Sequence, residues 1–192
     1  MSNIMTNEQN NQSIIENLLR GTGRTGIDNV IEQLKKGGFY TAPASVKFHN
    51  NFKGGLARHT LQVYQKAIEL YNGLKAKGTE LPFNEDSVTL CSLLHDICKM
   101  DEYTIFNGKA HHTQVYHENK KKKHGTKSVD LLTAWGLELT DEEIKAIHWH
   151  MGDWAKNAPN IYGHDYVFAS SQSILVELIH DADSQAARDH IK

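Results

Sequence analysis

The chain has 192 residues, with 21 lysines and arginines against 23 aspartates and glutamates, which gives a formal charge of −2. This balance argues against a general binder of polyanions and against an acidic disordered tail. A chain of this length buries roughly 70% of its unfolded surface, enough for one core without disulfides. The unusual count is twelve histidines, which points to metal or proton chemistry.

Cysteine usage and hydropathy predict a soluble cytoplasmic protein. Cys91 and Cys98 lie in an apolar stretch, which is typical of reduced thiols in the core of a cytosolic protein. The first ten residues are polar, and no apolar run approaches the ~18 residues that a membrane span needs. We therefore expect neither a signal peptide nor a membrane partner.

The first fifty residues predict a flexible start and two accessory helices. Residues 1–12 are rich in Asn and Gln and should be frayed, because they bury too little to offset the entropy of ordering. A short amphipathic helix follows them. A second helix should begin at Thr25, where Asp28 completes a capping box, and end at Gly37. We assign residues 13–53 to this accessory region.

A long helix carries the first candidate site residue. Apolar side chains at three- and four-residue spacing predict a helix from Gly54-Gly55 to about Lys77. His59 falls on the stripe of this helix that should face the core. The main domain is expected to begin here and to span residues 54–192.

The next helix is apolar nearly all round, which is typical of a central helix. Asn84 or Asp86 can cap it, and Lys99 marks its end. His95 and Asp96 lie near that end. A buried carboxylate must be paired, hydrogen-bonded or bound to a metal, and adjacent side chains can grip one ion only where the backbone opens near a helix end. The alternative is a core histidine beside a surface aspartate.

The second half of the chain predicts one hairpin and three more helices. Residues 102–118 alternate weakly around Asn107-Gly108, a pair suited to a type I′ turn, so we expect one small β-hairpin there. The helices are expected from Gly125 to Trp135, after a capping box of Thr140 and Glu143, and, beyond a loop at residues 153–165, from about Ile174. Helices outnumber strands, so the expected fold class is all-α.

Five separate segments offer an imidazole or a carboxylate toward this helical core. They are His59, the pair His95 and Asp96, His124, the segment 148–150, and Asp181 or Asp183. So many such groups on core-facing segments are hard to explain as solvent-facing side chains. A mixed nitrogen and oxygen set suits Mn, Fe, Mg, Co or Zn ions. Without thiolates, a closed structural zinc site is disfavoured.

These residues lie in five sequence segments: GGLARHT, LLHDICK, HGTKSVDLL, IHWHMG and IHDADSQA. The ordered series resembles the HD superfamily of metal-dependent phosphohydrolases, over residues 54 to about 187. The resemblance implies an HD-domain helical bundle that holds one or two divalent metal ions. By the same resemblance the metal ligands are His59, His95, Asp96 and Asp183, joined by His124 and His150 where two metals bind.

Two ligand positions stay open on the residues alone. Helical periodicity favours His148 as the ligand, whereas the family pattern favours His150, two positions further on. We expect His150, with His148 as the alternative. On the last helix, Asp181 and Asp183 lie on opposite flanks of the apolar stripe, so periodicity does not choose between them. The family pattern favours Asp183.

The implied reaction is hydrolysis of a phosphate ester. In the family pattern Asp96 bridges the ions, and water activated by the metals attacks phosphorus. Lys99 could bind a phosphate oxygen as a point charge, or it could extend to solvent and complement the helix dipole. We take Asp96 and Lys99 as the catalytic candidates. Four other histidines match no ligand position: His49, His164, His180 and His190.

The expected substrate is a small phosphorylated molecule, and a nucleotide in particular, because the balanced charge does not favour nucleic acid. A 3′ exonuclease-like phosphodiesterase is an alternative, since fold and metal site do not fix the substrate. An alternative from another class is a catalytically silent module that holds metal or senses a nucleotide. The complete set of candidate ligands argues against that module, because a decayed site should lack at least one.

Overall fold

The computed structural model describes residues 7–118, 124–152 and 166–188, which are mainly helical. The elements are α1 (Asn7–Gly21), α2 (Ile27–Lys36), α3 (Gly55–Ala76), α4 (Glu85–Leu94), α5 (Lys99–Glu102), β1 (Tyr103–Phe106), β2 (Lys109–His112), α6 (Gln114–Glu118), α7 (His124–Ala134), α8 (Asp141–Trp149), α9 (Tyr166–Gln172) and α10 (Ile174–Arg188). The predicted all-α class with one hairpin is confirmed. The loop predicted at residues 153–165 lies outside the described residues.

Helix α4 is the centre of the bundle. It packs against α3, α8 and α10, and α10 packs in turn against α3 and α8. Every α4 residue from Ser87 to Leu94 is buried, as its apolar sequence predicted. Cys91 and Cys98 are both buried and carry free thiols. None of the helices in the described ranges has the length and apolar character of a membrane span.

The end of α4 sets the geometry of the candidate site. Asn84 caps its beginning, because the side chain of Asn84 accepts a hydrogen bond from the Ser87 backbone N–H at 3.1 Å. The helix ends at Leu94, and the chain makes a turn before α5 begins. His95 and Asp96 therefore lie in this turn, where successive side chains need not diverge as they do inside a helix.

The predicted hairpin is present. Strands β1 and β2 pair antiparallel, with Tyr103 opposite His112. The connecting residues Asn107 and Gly108 have φ values of 48° and 74°, the two positive values that a type I′ turn requires. The last part of the predicted hairpin segment forms α6 instead of extending the strands.

The capping box predicted at the start of α2 is wrong. The helix begins at Ile27, and its N-cap residue is Gly26, which has φ of 89° and makes no side-chain cap. A Cβ at Gly26 would lie 2.1 Å from the carbonyl oxygen of Gly136. This close approach of a distant segment, combined with a left-handed backbone, requires glycine and places the helix start beyond Thr25.

Besides α6, helical structure extends beyond the prediction at two further places. Helix α1 begins at Asn7, inside the segment that was expected to be frayed, and α9 precedes the predicted last helix. Ile15 and Leu19 of α1 are fully buried, and α1 packs against α3 and α4. Tertiary packing of this kind extends a helix whose first residues have little apolar content.

A buried ion pair ties the accessory region to α8. The capping box of Thr140 and Glu143 is present, with N–H···O distances of 3.2 and 2.9 Å. Glu143, with no exposed surface, also accepts two hydrogen bonds of 2.7 Å from the Arg24 guanidinium. Burial acts to raise the pKa of Glu143, but the hydrogen bonds and charge of Arg24, with hydrogen bonds from Thr140 and Ser87, together lower that pKa below its usual value.

Arg24→Met should destabilise the protein, because it leaves the Glu143 carboxylate buried without its cation. We expect the free energy of unfolding at pH 7 to fall by about 3 kcal/mol, the low end for a broken buried pair, since Arg24 is partly exposed. Urea unfolding measures the change. The matched control is Arg20→Met, where only exposed or partly exposed pairs are lost and the effect should stay below about 1 kcal/mol.

Acidification should narrow the difference in the free energy of unfolding between Arg24→Met and the parent. The folded-state pKa of Glu143 is lowered in the parent, so the pair stabilises the fold above the unfolded-state pKa and loses this effect as pH falls through the folded-state value. In the variant, protonation removes the unpaired charge. A difference that stays constant between pH 7 and pH 4 would contradict this assignment.

Candidate metal centre

Three imidazoles and two carboxylates meet at the centre of the bundle. They are His59 from α3, His95 and Asp96 from the turn after α4, His150 directly after α8, and Asp183 from α10. The three histidines have no exposed surface, and the side chain of Asp96 is 1% exposed. Residues from four parts of the chain therefore share one buried position.

Three of the five separations within this group match those of ligands on one divalent cation, and the other two are a few tenths of an ångström longer. Ligand atoms bonded to one ion at about 2.1 Å lie roughly 3.0 to 3.4 Å apart for angles between octahedral and tetrahedral. The observed distances are 3.0 Å for His59 Nε2–Asp183 Oδ1, 3.4 Å for both His95 Nε2–Asp96 Oδ2 and His150 Nε2–Asp96 Oδ1, 3.7 Å for His59 Nε2–Asp96 Oδ2 and 3.8 Å for His95 Nε2–Asp183 Oδ1.

Backbone carbonyls at helix ends orient two of the rings. His95 Nδ1 lies 2.9 Å from the carbonyl oxygen of Ser92, and His150 Nδ1 lies 2.7 Å from that of Ile147. Both carbonyls belong to the last turn of a helix, where no helical N–H is available to them. With Nδ1–H donating to these oxygens, each Nε2 presents a lone pair toward Asp96, the tautomer that a metal ligand needs.

Several atoms at the centre are buried without a hydrogen-bond partner among the described residues. They include Nε2 of His95, Nε2 of His150 and Oδ1 of Asp96. Polar atoms in such a position are rare, and an ion is one of their ordinary explanations. Two overlapping sets of three ligand atoms, which share His95, each lie within 4.8 Å of one another. The side chains present therefore fit a divalent metal ion.

A buried lysine compensates part of the negative charge. Lys99 is 8% exposed, and its Nζ donates to Asp96 Oδ2 at 2.6 Å. Burial acts to raise the pKa of Asp96, but the Lys99 ammonium, followed by His95, holds that pKa well below its usual value. Burial acts to lower the pKa of Lys99, but Asp96, together with Tyr103 and Asp183, raises it above its usual value. The alternative of a solvent-extended lysine at the helix end is not what the structure shows.

The structure brings His150, and not its neighbour, to the centre. His148 is buried elsewhere, with its Nδ1 3.2 Å from Thr126 Oγ1 on α7, and burial lowers its pKa to about 4. Asp181 is exposed, whereas Asp183 lies against His59. Burial acts to raise the pKa of Asp183, but the hydrogen bond from His59 lowers it.

His124 does not join the five central residues in this structure. Its Nδ1 lies 3.2 Å from Glu102 Oε2 and 3.4 Å from Cys98 Sγ. Glu102 also pairs with Lys127 at 3.2 Å. Burial acts to raise the pKa of Glu102, but the hydrogen bond from His124 and the Lys127 charge lower it. Glu102 was not a predicted site residue, and no motif in the sequence marks it.

His180, which matched no ligand position in the sequence, contacts the backbone of His150. His180 Nδ1 lies 2.7 Å from the carbonyl oxygen of His150. Gly152 has φ of 59°, which favours glycine, and a Cβ there would lie 2.6 Å from the ring of His180. His180 precedes Asp183 by three positions on α10, a spacing that puts both on one helix face and that could have identified it.

The comparisons with known proteins show the family of this chain. The HD domain family profile matches residues 56–188, and the chain belongs to the HD domain family. It is 30% identical over 145 residues to dihydroneopterin 2′,3′-cyclic phosphate phosphodiesterase of Methanocaldococcus jannaschii. The match covers 75% of this chain and 52% of that protein, so the chain spans about half the length of this relative. No solved structure matches the chain significantly.

Asp183→Asn should weaken metal binding, whereas Asp181→Asn should not. The two residues lie on the same helix, but only Asp183 contacts the central histidines. We expect affinity for Mn²⁺ or Co²⁺ to fall by at least about tenfold in Asp183→Asn, since even residues behind a ligand contribute that much. Isothermal titration of both variants measures the effect. Equal affinities in the two variants would place the cation elsewhere.

Proposed function

We propose that this chain is a metal-dependent hydrolase of small phosphate esters. The observation that carries the proposal is the convergence of three imidazoles and two carboxylates, from separate parts of the chain, on one buried position. Membership of the HD domain family supports it, and so does the phosphodiesterase activity in the name of the relative from Methanocaldococcus jannaschii.

In this proposal five residues would hold the first ion. The ligands would be His59, His95, Asp96, His150 and Asp183. A divalent ion bound there would polarise a phosphoryl oxygen and make water a better nucleophile at neutral pH. The rings of His95 and His150 are fixed by backbone carbonyls, so their Nε2 atoms need little reorganisation to bind.

Lys99 would bind the phosphate and balance its charge. The two carboxylates and the one ammonium leave a net charge of −1 at the centre, and one divalent ion changes this to +1. A buried positive site attracts an anionic phosphate more strongly than an exposed one, because little solvent screens it. The Lys99 ammonium donates to Asp96, and from this position it could move onto a phosphate oxygen.

A cavity whose lining includes Tyr103, but none of the five central residues, has the size of a small-molecule site. It has a volume of about 400 Å³, and its lining includes Lys53, Met100, Tyr103 and Thr104, within the range usual for ligand pockets. Burial raises the pKa of Tyr103, which lies within electrostatic reach of Lys99 and Asp96. We propose that the part of the substrate beyond the phosphate binds here, and that the substrate is a nucleotide or a small cyclic phosphodiester.

A second ion would require His124. The support for this second ion comes from the order of motifs in the sequence. In the structure, His124 lies against Glu102 and Cys98 and does not join the five central residues. If His124 binds a second ion, elemental analysis of the Mn²⁺-loaded parent should approach two metals per chain, and His124→Ala should retain one. A parent that never exceeds one equivalent would exclude the second ion and leave His124 as a partner of Glu102.

Hydrolysis should depend on Asp96. With Mn²⁺ present, the parent should release product from a panel of p-nitrophenyl esters, nucleotides and 2′,3′-cyclic nucleotides. Asp96→Asn should lower kcat by at least roughly 100-fold, because it removes the carboxylate that two central histidines face. Asp181→Asn is the matched control and should retain activity. A parent that binds Mn²⁺ but hydrolyses none of these compounds would indicate a silent metal-holding module instead.

A further inference from the structure

His59 lacks the backbone partner that the other two central histidines have. It lies in the interior of α3, where nearby carbonyls already accept helical hydrogen bonds. Its Nδ1 is buried and has no hydrogen-bond partner among the described residues. A histidine that ligates a metal almost always donates its second N–H to a carbonyl, a carboxylate or water. The hydrogen-bond partner that orients the His59 ring through Nδ1 must therefore come from a residue outside α3.

The side chain closest to supplying it is His49. The ring centroids of His49 and His59 are 4.6 Å apart, with the planes tilted by 42°. Nε2 of His49 is also buried without a hydrogen-bond partner in the described part of the chain. Two unpaired buried nitrogens on contacting rings each cost free energy, and one shared hydrogen bond would satisfy both.

The segment that carries His49 is held firmly against the start of α3. Ser45 Oγ donates to the His49 carbonyl at 2.8 Å and accepts from the Phe48 N–H at 2.9 Å. The carbonyl of Asn50 accepts from the Ala44 N–H at 3.0 Å. The first residue of α3 is Gly55, and a Cβ at this position would lie 1.9 Å from the same Asn50 carbonyl oxygen. Only glycine therefore allows the segment to lie this close to α3.

We propose that His49 is a positioning residue of the metal centre, which orients His59 through a hydrogen bond between His59 Nδ1 and His49 Nε2. The tilt of the rings requires either a rotation of the His49 side chain or one bridging water. When His59 Nε2 faces a cation it carries no proton, so Nδ1–H donates and His49 Nε2 accepts. The proposal rests on the proposed metal centre and adds a residue that lies outside the family match at residues 56–188.

A neutral His49 can fill this acceptor role, because a neutral imidazole has one nitrogen with a free lone pair.

Metal affinity separates positioning from packing. His49→Phe keeps a ring beside His59 but has no acceptor, whereas His49→Gln keeps an acceptor on a side chain of similar reach. Titration with Zn²⁺ alone should show a loss of roughly 10- to 100-fold for His49→Phe and a partial recovery for His49→Gln. If both variants bind Zn²⁺ like the parent, His49 does not position His59. A raised KM at unchanged metal affinity would also overturn the proposal, because it would make His49 a substrate contact.

The protonation of His59 gives a direct readout on the parent chain. In the Zn²⁺-loaded protein with ¹⁵N-labelled histidine, two-bond NMR correlations should show His59 Nδ1 protonated, and its resonance should shift in His49→Phe but much less in His49→Gln. If the His59 Nδ1 resonance shifts in neither variant, the hydrogen bond is refuted. A parent that binds no Zn²⁺ refutes the metal centre itself, whereas a parent that binds Zn²⁺ without turnover refutes only the proposed hydrolysis.

Discussion

The buried charge of Asp96 is the constraint on which the rest of the site depends. A carboxylate that is 1% exposed has lost nearly all of its hydration, and such burial is tolerated only beside cations or hydrogen-bond donors. Lys99 supplies one partner at 2.6 Å, while His95 and His150 face its two oxygens. Packing and electrostatics are therefore coupled, because α4 and α8 must bring their ends to one carboxylate.

Helix ends solve the problem of orienting the imidazoles. The carbonyls of Ser92 and Ile147 are free because α4 and α8 stop within the next two residues, and each holds the ring of the histidine that follows its helix. His59 lies inside a helix and cannot use this solution, since the carbonyls around it are already bonded. One rule of helix geometry thus explains why two rings are held by backbone and why the third needs a side chain from another segment.

The sequence was most informative where structure depends on residues a few positions apart. The capping box of Thr140 and Glu143 was predicted correctly because both of its bonds are local. The start of α2 was predicted wrongly because a distant carbonyl lies against it. Periodicity favoured His148 over His150, and it could not show that α8 ends at Trp149, after which the chain turns His150 toward Asp96. Side-chain direction at helix ends depends on contacts that spacing does not encode.

The region before the HD family match packs into the same structural unit as the candidate metal centre. Apolar side chains of α1 and α2 lie in the same buried cluster as those of α3, α4, α8 and α10. Arg24 neutralises the buried Glu143 of α8. Hydrogen bonds within residues 44–50 hold His49 in contact with the ring of His59. Removing these residues would expose the core and leave a buried carboxylate unpaired at once. The structural unit that supports the centre therefore begins upstream of the family match, although the central histidines and aspartates all lie within it.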